Sequence, residues 1–484
     1  MRPPKPETNA LQTAPTEQLR DPILDSHAKD KAAERSSMKK IAVRLMPILF
    51  LAAALNYIDR TNIGFAKLQM QSDLGLSEVA FGLGAGMFFI AYVIFEVPSN
   101  LILHRVGARI WIARIMASWG VVVILMATIQ NEMAFYILRF LLGAAEAGLL
   151  PGVVLYLTQW IPATRRAGVL GWFYVSIPVA SMLGGPLTAI LMGFQPFGLR
   201  GWQFMFIMEG LPCLVLAVFV FKYLSDRPEQ ASWLNSDEKK WLGVTIQREH
   251  DAKLGASKTK QSALAALRDP RVLGFSLVYF SMVIPIYVMG FFLPTIVKEM
   301  VGTSVPLAAI GWITAIPYLF TAVAMVLIAR SSDKRQERPW HITLTLVSGA
   351  VALVVGALTL QSAPLVAILA ICVALIGCMG PTPTFWAAAP ASLVGAAAAS
   401  GIALISSIGN IGGFISPYMV GLIREAIPGP SGSSAAMIVA AGVLLAGSFI
   451  MWLVGQSLRK RERLVGDPAG STLQEAGRDT TAVH

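Results

Sequence analysis

Apolar runs of about 20 residues alternate with short polar breaks from position 43 to position 456 of this chain. A run of that length crosses the hydrocarbon core of a bilayer as a helix. The pattern predicts spans near 43–66, 79–102, 110–129, 133–160, 166–193 and 203–223, then near 271–297, 306–329, 341–361, 364–388, 396–423 and 434–456. Between the two sets lies one long polar stretch, 225–270, in which "DEKKWLGVTIQREH" predicts a short amphipathic helix. Residues 1–40 are polar, rich in Pro, Thr and charge, and lack the apolar core of a signal peptide. They read as a disordered tail, and 458–484 as a second tail. The pattern thus predicts an all-α polytopic membrane protein. Two six-helix bundles, over 41–224 and 271–457, flank a linker over 225–270.

Charge gives this scheme a direction. The loops "HRVGAR", "PATRRAG" and "RSSDKRQERPW" hold most of the Lys and Arg of the short loops, and the C-terminal tail opens "RKRER". The opposite loops, "QNEMA" and "KEMVGTSV", carry few. By the positive-inside rule the basic loops, both termini and the linker face the cytoplasm. A net charge of +11 therefore reflects topology rather than a nucleic-acid surface, because the cations form no single patch. The basic turn after the second span recurs at the same place in each half. That is what a duplicated six-plus-six transporter would show, and also what basic anchors alone would produce.

Composition agrees: 55% of residues are hydrophobic and 14% charged, against about 25% charged in soluble domains. Cys213, Cys372 and Cys378 fall in apolar segments without metal-site spacing and read as small core residues. No Walker, H-E-x-x-H or G-x-S-x-G motif is present, so neither nucleotide-driven pumping nor catalysis is indicated. No cofactor or metal is expected, and an ion gradient remains as the energy source.

The informative residues are charges inside the spans, which are expensive there and normally face a partner or a water-filled path. Asp59 and Arg60 stand side by side in the first span. Asp59 is about 24 Å from its cytoplasmic end at 1.5 Å per residue. In the fourth span Arg139 reaches similar depth, and Glu146 lies seven positions on, along the same helix face. Two cations and two anions at one depth form either a structural ion-pair network or a site for an anion and protons. The second half has no Asp, Glu, Lys or Arg in mid-span. It offers Tyr279, Tyr287, Tyr318, Thr384, Trp386, Ser406, Ser407 and Asn410, each of which alone is more often packing than a ligand contact. Asn410 stands out, because a lone carboxamide in an apolar span must find a partner.

The strings "NYIDRTNIGFA", "FEVPSNLILHRVGAR", "RFLLGAAEAGLLPG" and "FWAAAP" followed by "SGIALISSIGNIGGFISP" resemble the anion:cation symporter family of the major facilitator superfamily (MFS). The similarity is greatest to its tartrate, phthalate and hydroxyphenylacetate permease branch, and it covers roughly residues 40–456. It implies the MFS fold and proton-coupled import of a small organic carboxylate by alternating access. A monomer in a bacterial inner membrane is implied as well. By the same resemblance Asp59 and Glu146 match protonatable carboxylates, and Arg60 a substrate-binding arginine. Arg139 matches an arginine linked to the acidic pair, and Tyr57, Tyr92, Trp386 and Asn410 match cavity-lining positions. Arg105, Gly107, Arg109, Asp333 and Arg335 match the gating loops. His104 replaces the family's Asp before Arg105, which implies a weaker loop latch in the first half. Span five lacks the amide that sugar-acid carriers use for hydroxyls, which implies a substrate with fewer hydroxyls, such as an aromatic acid, with tartrate-type acids as the near alternative. On this scheme protonation of Asp59 frees Arg60 for a substrate carboxylate, and Glu146 carries a second proton. The rivals are a proton-independent facilitator or exchanger of the same fold, a membrane sensor or scaffold, and a membrane enzyme.

Overall fold

The structure, a computed structural model, describes residues 22–256, 269–302, 304–392 and 396–466. Among the described residues twelve helices are long and apolar enough to cross a membrane. The first half contains α1 (Pro22–Arg44), α2 (Met46–Leu74), α3 (Glu78–Val106), α4 (Ala108–Met126), α5 (Glu132–Glu146), α6 (Leu149–Thr158), α7 (Ala163–Leu191) and α8 (Gly201–Tyr223). α9 (Ser236–Ala256) lies in the linker, where the amphipathic helix is expected. The second half contains α10 (Pro270–Val301), α11 (Leu307–Arg335), α12 (Pro339–Thr359), α13 (Pro364–Met379), α14 (Thr382–Ser392), α15 (Ala396–Ala426) and α16 (Pro430–Gly466).

The ends of these helices are written locally. Ser77 and Asn131 accept hydrogen bonds from the amides of Ala80 and Ala134 and so cap α3 and α5. Proline stands in the first turn of α2, α10, α12 and α13, where its missing N–H costs nothing.

Three helix pairs join the bundles: α3 with α15, α7 with α11, and α2 with α10. At the end marked by the α2–α3 turn the junction is ionic. Arg424 of α15 bonds Glu78 of α3 (3.2 Å) and Glu299 of α10 (2.9 Å). Lys67 of α2 pairs with Glu78 (2.6 Å) over the rings of Phe81 and Phe292. Ser433 of α16 completes the set, accepting from Arg424 and donating to Glu299.

Three features differ from the pattern-based expectation. Residues 22–40 are helical within α1 rather than disordered, because "HAKDKAAERSSMKK" is rich in strong helix formers and the helix has a partner. Ser36 and Lys40 both bond Glu238 of α9 (2.6 and 2.8 Å). Burial opposes ionisation of Glu238, but these bonds outweigh it and hold the carboxyl below its ordinary range. The same clasp reaches α7, through Glu34 to Arg165 and Glu249 to Arg166 (both 3.1 Å). Second, α16 runs past 458 to Gly466; positions 1–21, 257–268 and 467–484 of the tails and linker lie outside the described residues. Third, spans four and ten are broken, at Ala147–Gly148 and at Gly380–Pro381. Gly148 has φ +87°, and a Cβ there would collide with the Ser99 side chain. Interrupted helices at matching places in both halves are a pointer to a binding site at the bundle interface.

Candidate functional site

Asp59 and Arg60 are neighbours in sequence but not in function. Successive residues on a helix point about 100° apart, so the two side chains enter different compartments. The Arg60 Nε donates to Glu146 Oε2 at 3.2 Å, and Asn56, one turn earlier on α2, donates to the same oxygen at 2.6 Å. The Arg60 Nη1 reaches the hydroxyl of Tyr287, on α10 of the other bundle, at 3.5 Å. Arg60 also lies over the rings of Phe88 (5.1 Å) and Tyr92 (4.7 Å). Arg60 is 5% exposed and Glu146 0%, yet Arg60 Nη2 and Glu146 Oε1 have no partner. The expected mutual compensation of Asp59 and Arg60 is therefore replaced by an Arg60–Glu146 pair, because α5 ends at Glu146 and delivers its carboxylate to this face of α2.

Arg139 shares the Phe88 ring, 5.1 Å from its centroid on α5. α5 comes this close to α3 because residue 143 is glycine, whose missing Cβ would overlap the Phe88 carbonyl. Arg139 donates to the carbonyl oxygen of Ala85 (3.2 Å), while its Nε and Nη1 stay unpartnered. The expected link between Arg139 and the acidic pair takes the form of proximity through one aromatic ring rather than an ion pair.

Asp59 faces the interior of the first bundle. Its Oδ2 accepts from Trp119 Nε1 of α4 (2.6 Å) and from Cys213 Sγ of α8 (3.6 Å). Its Oδ1 accepts from Asn62 (3.3 Å), which also donates to Glu209 of α8 (2.7 Å). Glu209 accepts a further bond from Thr188 of α7 (2.6 Å). Glu209, Asn62 and Trp119 are absent from the sequence-based set. Glu209 had the plainest signal, a lone carboxylate in the apolar string "FMFIMEGLPCLV". The two asparagines lay unremarked beside the charges of "LNYIDRTN".

The second bundle contributes neutral groups. Tyr287 stacks on Phe291 and meets Phe89 edge-on at 4.5 Å. Tyr279 stacks on Phe385 (5.4 Å) and meets Trp386 edge-on (5.0 Å), beside the break in span ten. The hydroxyl of Thr384 is buried without a partner. Tyr57 is buried beside Ile58 and Ala180, and Asn410 is half-buried on α15. Of the expected lining residues, the structure brings Tyr92 into direct contact with Arg60. Tyr57 lies within electrostatic reach of Arg60, while Trp386 packs on Tyr279 and Phe385.

Among the loop residues, the backbone N–H of Arg109 donates to Asp226 Oδ1 at 2.8 Å. Gly107 packs on the same carboxylate. Asp226, at the entrance to the linker, supplies a carboxylate in the loop where His104 stands in place of the acid. Arg105, Asp333 and Arg335 are exposed.

Two six-helix bundles, matching helix breaks and buried charges at the interface define a membrane transporter. The sequence pattern of the Major Facilitator Superfamily matches residues 49–417, and the chain belongs to that family. It is 45% identical to a protein named "Putative tartrate transporter" from Agrobacterium vitis, over 87% of this chain and 95% of that one. It is 37% identical to a quinolone resistance transporter of Acinetobacter baumannii, over 89% and 97%. Among solved structures, a bacterial homologue of the human lysosomal transporter Spinster matches with TM-score 0.68 at 17% identity. That match covers 85% of this chain and 96% of the other, a likeness of fold.

Proposed function

We propose that this protein is a proton-coupled symporter that imports a small organic carboxylate by alternating access. The substrate is a tartrate-like hydroxy acid or an aromatic acid such as phthalate or hydroxyphenylacetate. The reading places a monomer in a bacterial inner membrane with both termini cytoplasmic, and hence the α2–α3 turn outside. The observation that carries it is the state of Arg60. Its guanidinium is buried between the bundles, held at one nitrogen by a protonatable carboxyl and unpartnered at another.

The mechanism follows from that geometry. With Glu146 ionised, Arg60 is neutralised and has little to offer an anion. A proton on Glu146 removes that competition, and Arg60 then takes a substrate carboxylate through a charge-assisted fork. Arg139, across Phe88, raises the local positive potential. Tyr287 ties the occupied Arg60 to the second bundle, so substrate binding is felt by both halves. Asp59 carries a second proton away from the substrate face. In the present conformation Arg424, Glu78 and Glu299 close the outer side.

The test is internal pH in proteoliposomes given tartrate, galactonate, phthalate and 4-hydroxyphenylacetate in turn, with wild type and Asp59→Asn. Acidification with one class, reduced but not abolished in Asp59→Asn although that variant still binds the substrate, supports the reading. Uptake of a labelled acid without any change in pH would make this a facilitator or exchanger and Asp59 a structural group.

A further inference from the structure

We propose that Asp59 and Glu209 form one proton-binding carboxyl pair, bridged by Asn62, and that this pair rather than Asp59 alone holds the second proton of the cycle. Asp59, Asn62 and Glu209 are 2%, 2% and 4% exposed. The groups that face the two carboxyls are Trp119 from α4, Thr188 from α7 and Cys213 from α8, all uncharged donors. From α5, Glu146 and Arg139 act on Asp59 at longer range. Among the described residues no Lys, Arg or His forms an ion pair with either carboxyl. Arg60 is turned to Glu146, and Arg139 to Ala85. Two carboxylates sharing a dry site without a cation cannot both ionise without large cost.

A second observation points to the missing ligand. The Asn62 Nδ2 serves both carboxyls, while Asn62 Oδ1 is buried with no donor. One proton on the pair turns one carboxyl into an O–H donor. Rotation of the amide then offers Oδ1 to that donor and keeps Nδ2 on the ionised partner. Every polar atom of the bridge is thereby satisfied by a single proton. A metal cation fits poorly, because hydrogen-bond donors face both carboxyls and, among the described residues, no third His, Cys, Asp or Glu stands with them as a ligand set.

The position suits a loading station. Thr188 lies three residues from Leu191, the end of α7 on the side of the α2–α3 turn, so Glu209 stands on the outer side of Asp59. This placement rests on the symport reading above; the pairing of the carboxyls does not.

The experiment is pH-difference infrared spectroscopy of the full protein in lipid vesicles, with protons alone as the probe. 13C-Asp or 13C-Glu labelling assigns the protonated-carboxyl bands without any substitution. The expected result is one Asp and one Glu band that titrate together, apart from the Glu146 band, which Glu146→Gln identifies. Glu209→Gln should remove the Glu band and shift the Asp band, and Asn62→Ala should uncouple the two. Glu209→Gln should also lower steady-state substrate accumulation by about tenfold at a pH difference of one, the worth of one proton. An Asp band that titrates alone, unmoved in Glu209→Gln, overturns the pair. Bands that respond to sodium rather than to pH overturn it too. Coupled bands in a protein that acidifies vesicles with no substrate would keep the pair and refute symport.

Discussion

The two bundles have the same number of spans and the same break in their fourth helix, yet their interiors differ in kind. The first buries Asp59, Arg60, Arg139, Glu146 and Glu209. In the second, among the described residues, the one buried charge is Arg424, in the last turn of α15 at the rim. Its interior is Tyr279, Tyr287, Tyr318, Phe385 and unpaired hydroxyls. A charge in a low-dielectric site must be held by fixed partners within its own rigid body, or each conformational swing would expose it. Aromatic and hydroxyl groups carry no such penalty and can meet a substrate that arrives and leaves. On the proposed symport reading, this division would let one bundle keep the electrostatics while the other fits the cargo.

Replacing Arg60 strikes this division hardest. Arg60→Ala should weaken binding of every carboxylate at least about a hundredfold, on the order of 3 kcal/mol, read by calorimetric titration. Arg60→Lys should recover only part, because a point charge does not copy the planar fork. If both variants bound carboxylates as tightly as wild type, the charges of the first bundle would be structural.

Arg424→Gln tests the exception in the second bundle. It leaves Glu299 without its cation and Glu78 with Lys67 alone, a loss of about 2 kcal/mol for part-buried charged hydrogen bonds. The protein should shift toward outward opening, seen as longer spin-label distances between Ser72→Cys and Ser304→Cys. An unchanged distance distribution would mean that apolar packing alone holds this end shut.

Smaller effects are expected from the neutral lining. Tyr287→Phe and Trp386→Leu should each raise KM about fivefold, roughly 1 kcal/mol, and alter the order of preferred acids. Neither should change the number of protons moved per substrate. A changed stoichiometry in either would erase the contrast between the halves.

The weakest test lies outside the membrane. Glu238→Gln should cost about 1 kcal/mol or less, since Lys40 is partly exposed. A carboxyl held below its ordinary range stabilises the fold above its unfolded value. That contribution disappears as pH falls through the folded value. The melting temperatures of wild type and Glu238→Gln should therefore differ at neutral pH and converge as pH falls below the ordinary glutamate range.

Much of the architecture was legible because bilayer thickness turns apolar length into a span. The set of charged residues was legible too, since lipid makes each stand out. Their pairing was not. Asp59 and Arg60 looked like mutual partners in a linear string, and only the helical rotation between them sends one to Trp119 and the other to Glu146. Glu209 was visible as a letter, but its significance needed α2 and α8 side by side. The break after Glu146 was hinted at by "EAG", yet a glycine in a helix is as often a packing site as a stop. Helix α1 was hidden by polarity, because its partner lies 198 residues away.

That distance has a consequence for biogenesis. The ribosome delivers Lys40 before the first bundle is complete and Glu238 only after α8 has been made. The clasp between them can form only once all six spans of the first half have been made. A nascent chain with a misinserted helix among the first six would present Glu238 with no Lys40 on the correct side of the membrane. Lys40 and Glu238 can meet only when an even number of spans separates them, so the clasp is compatible with a first half of correct topology and with no other parity.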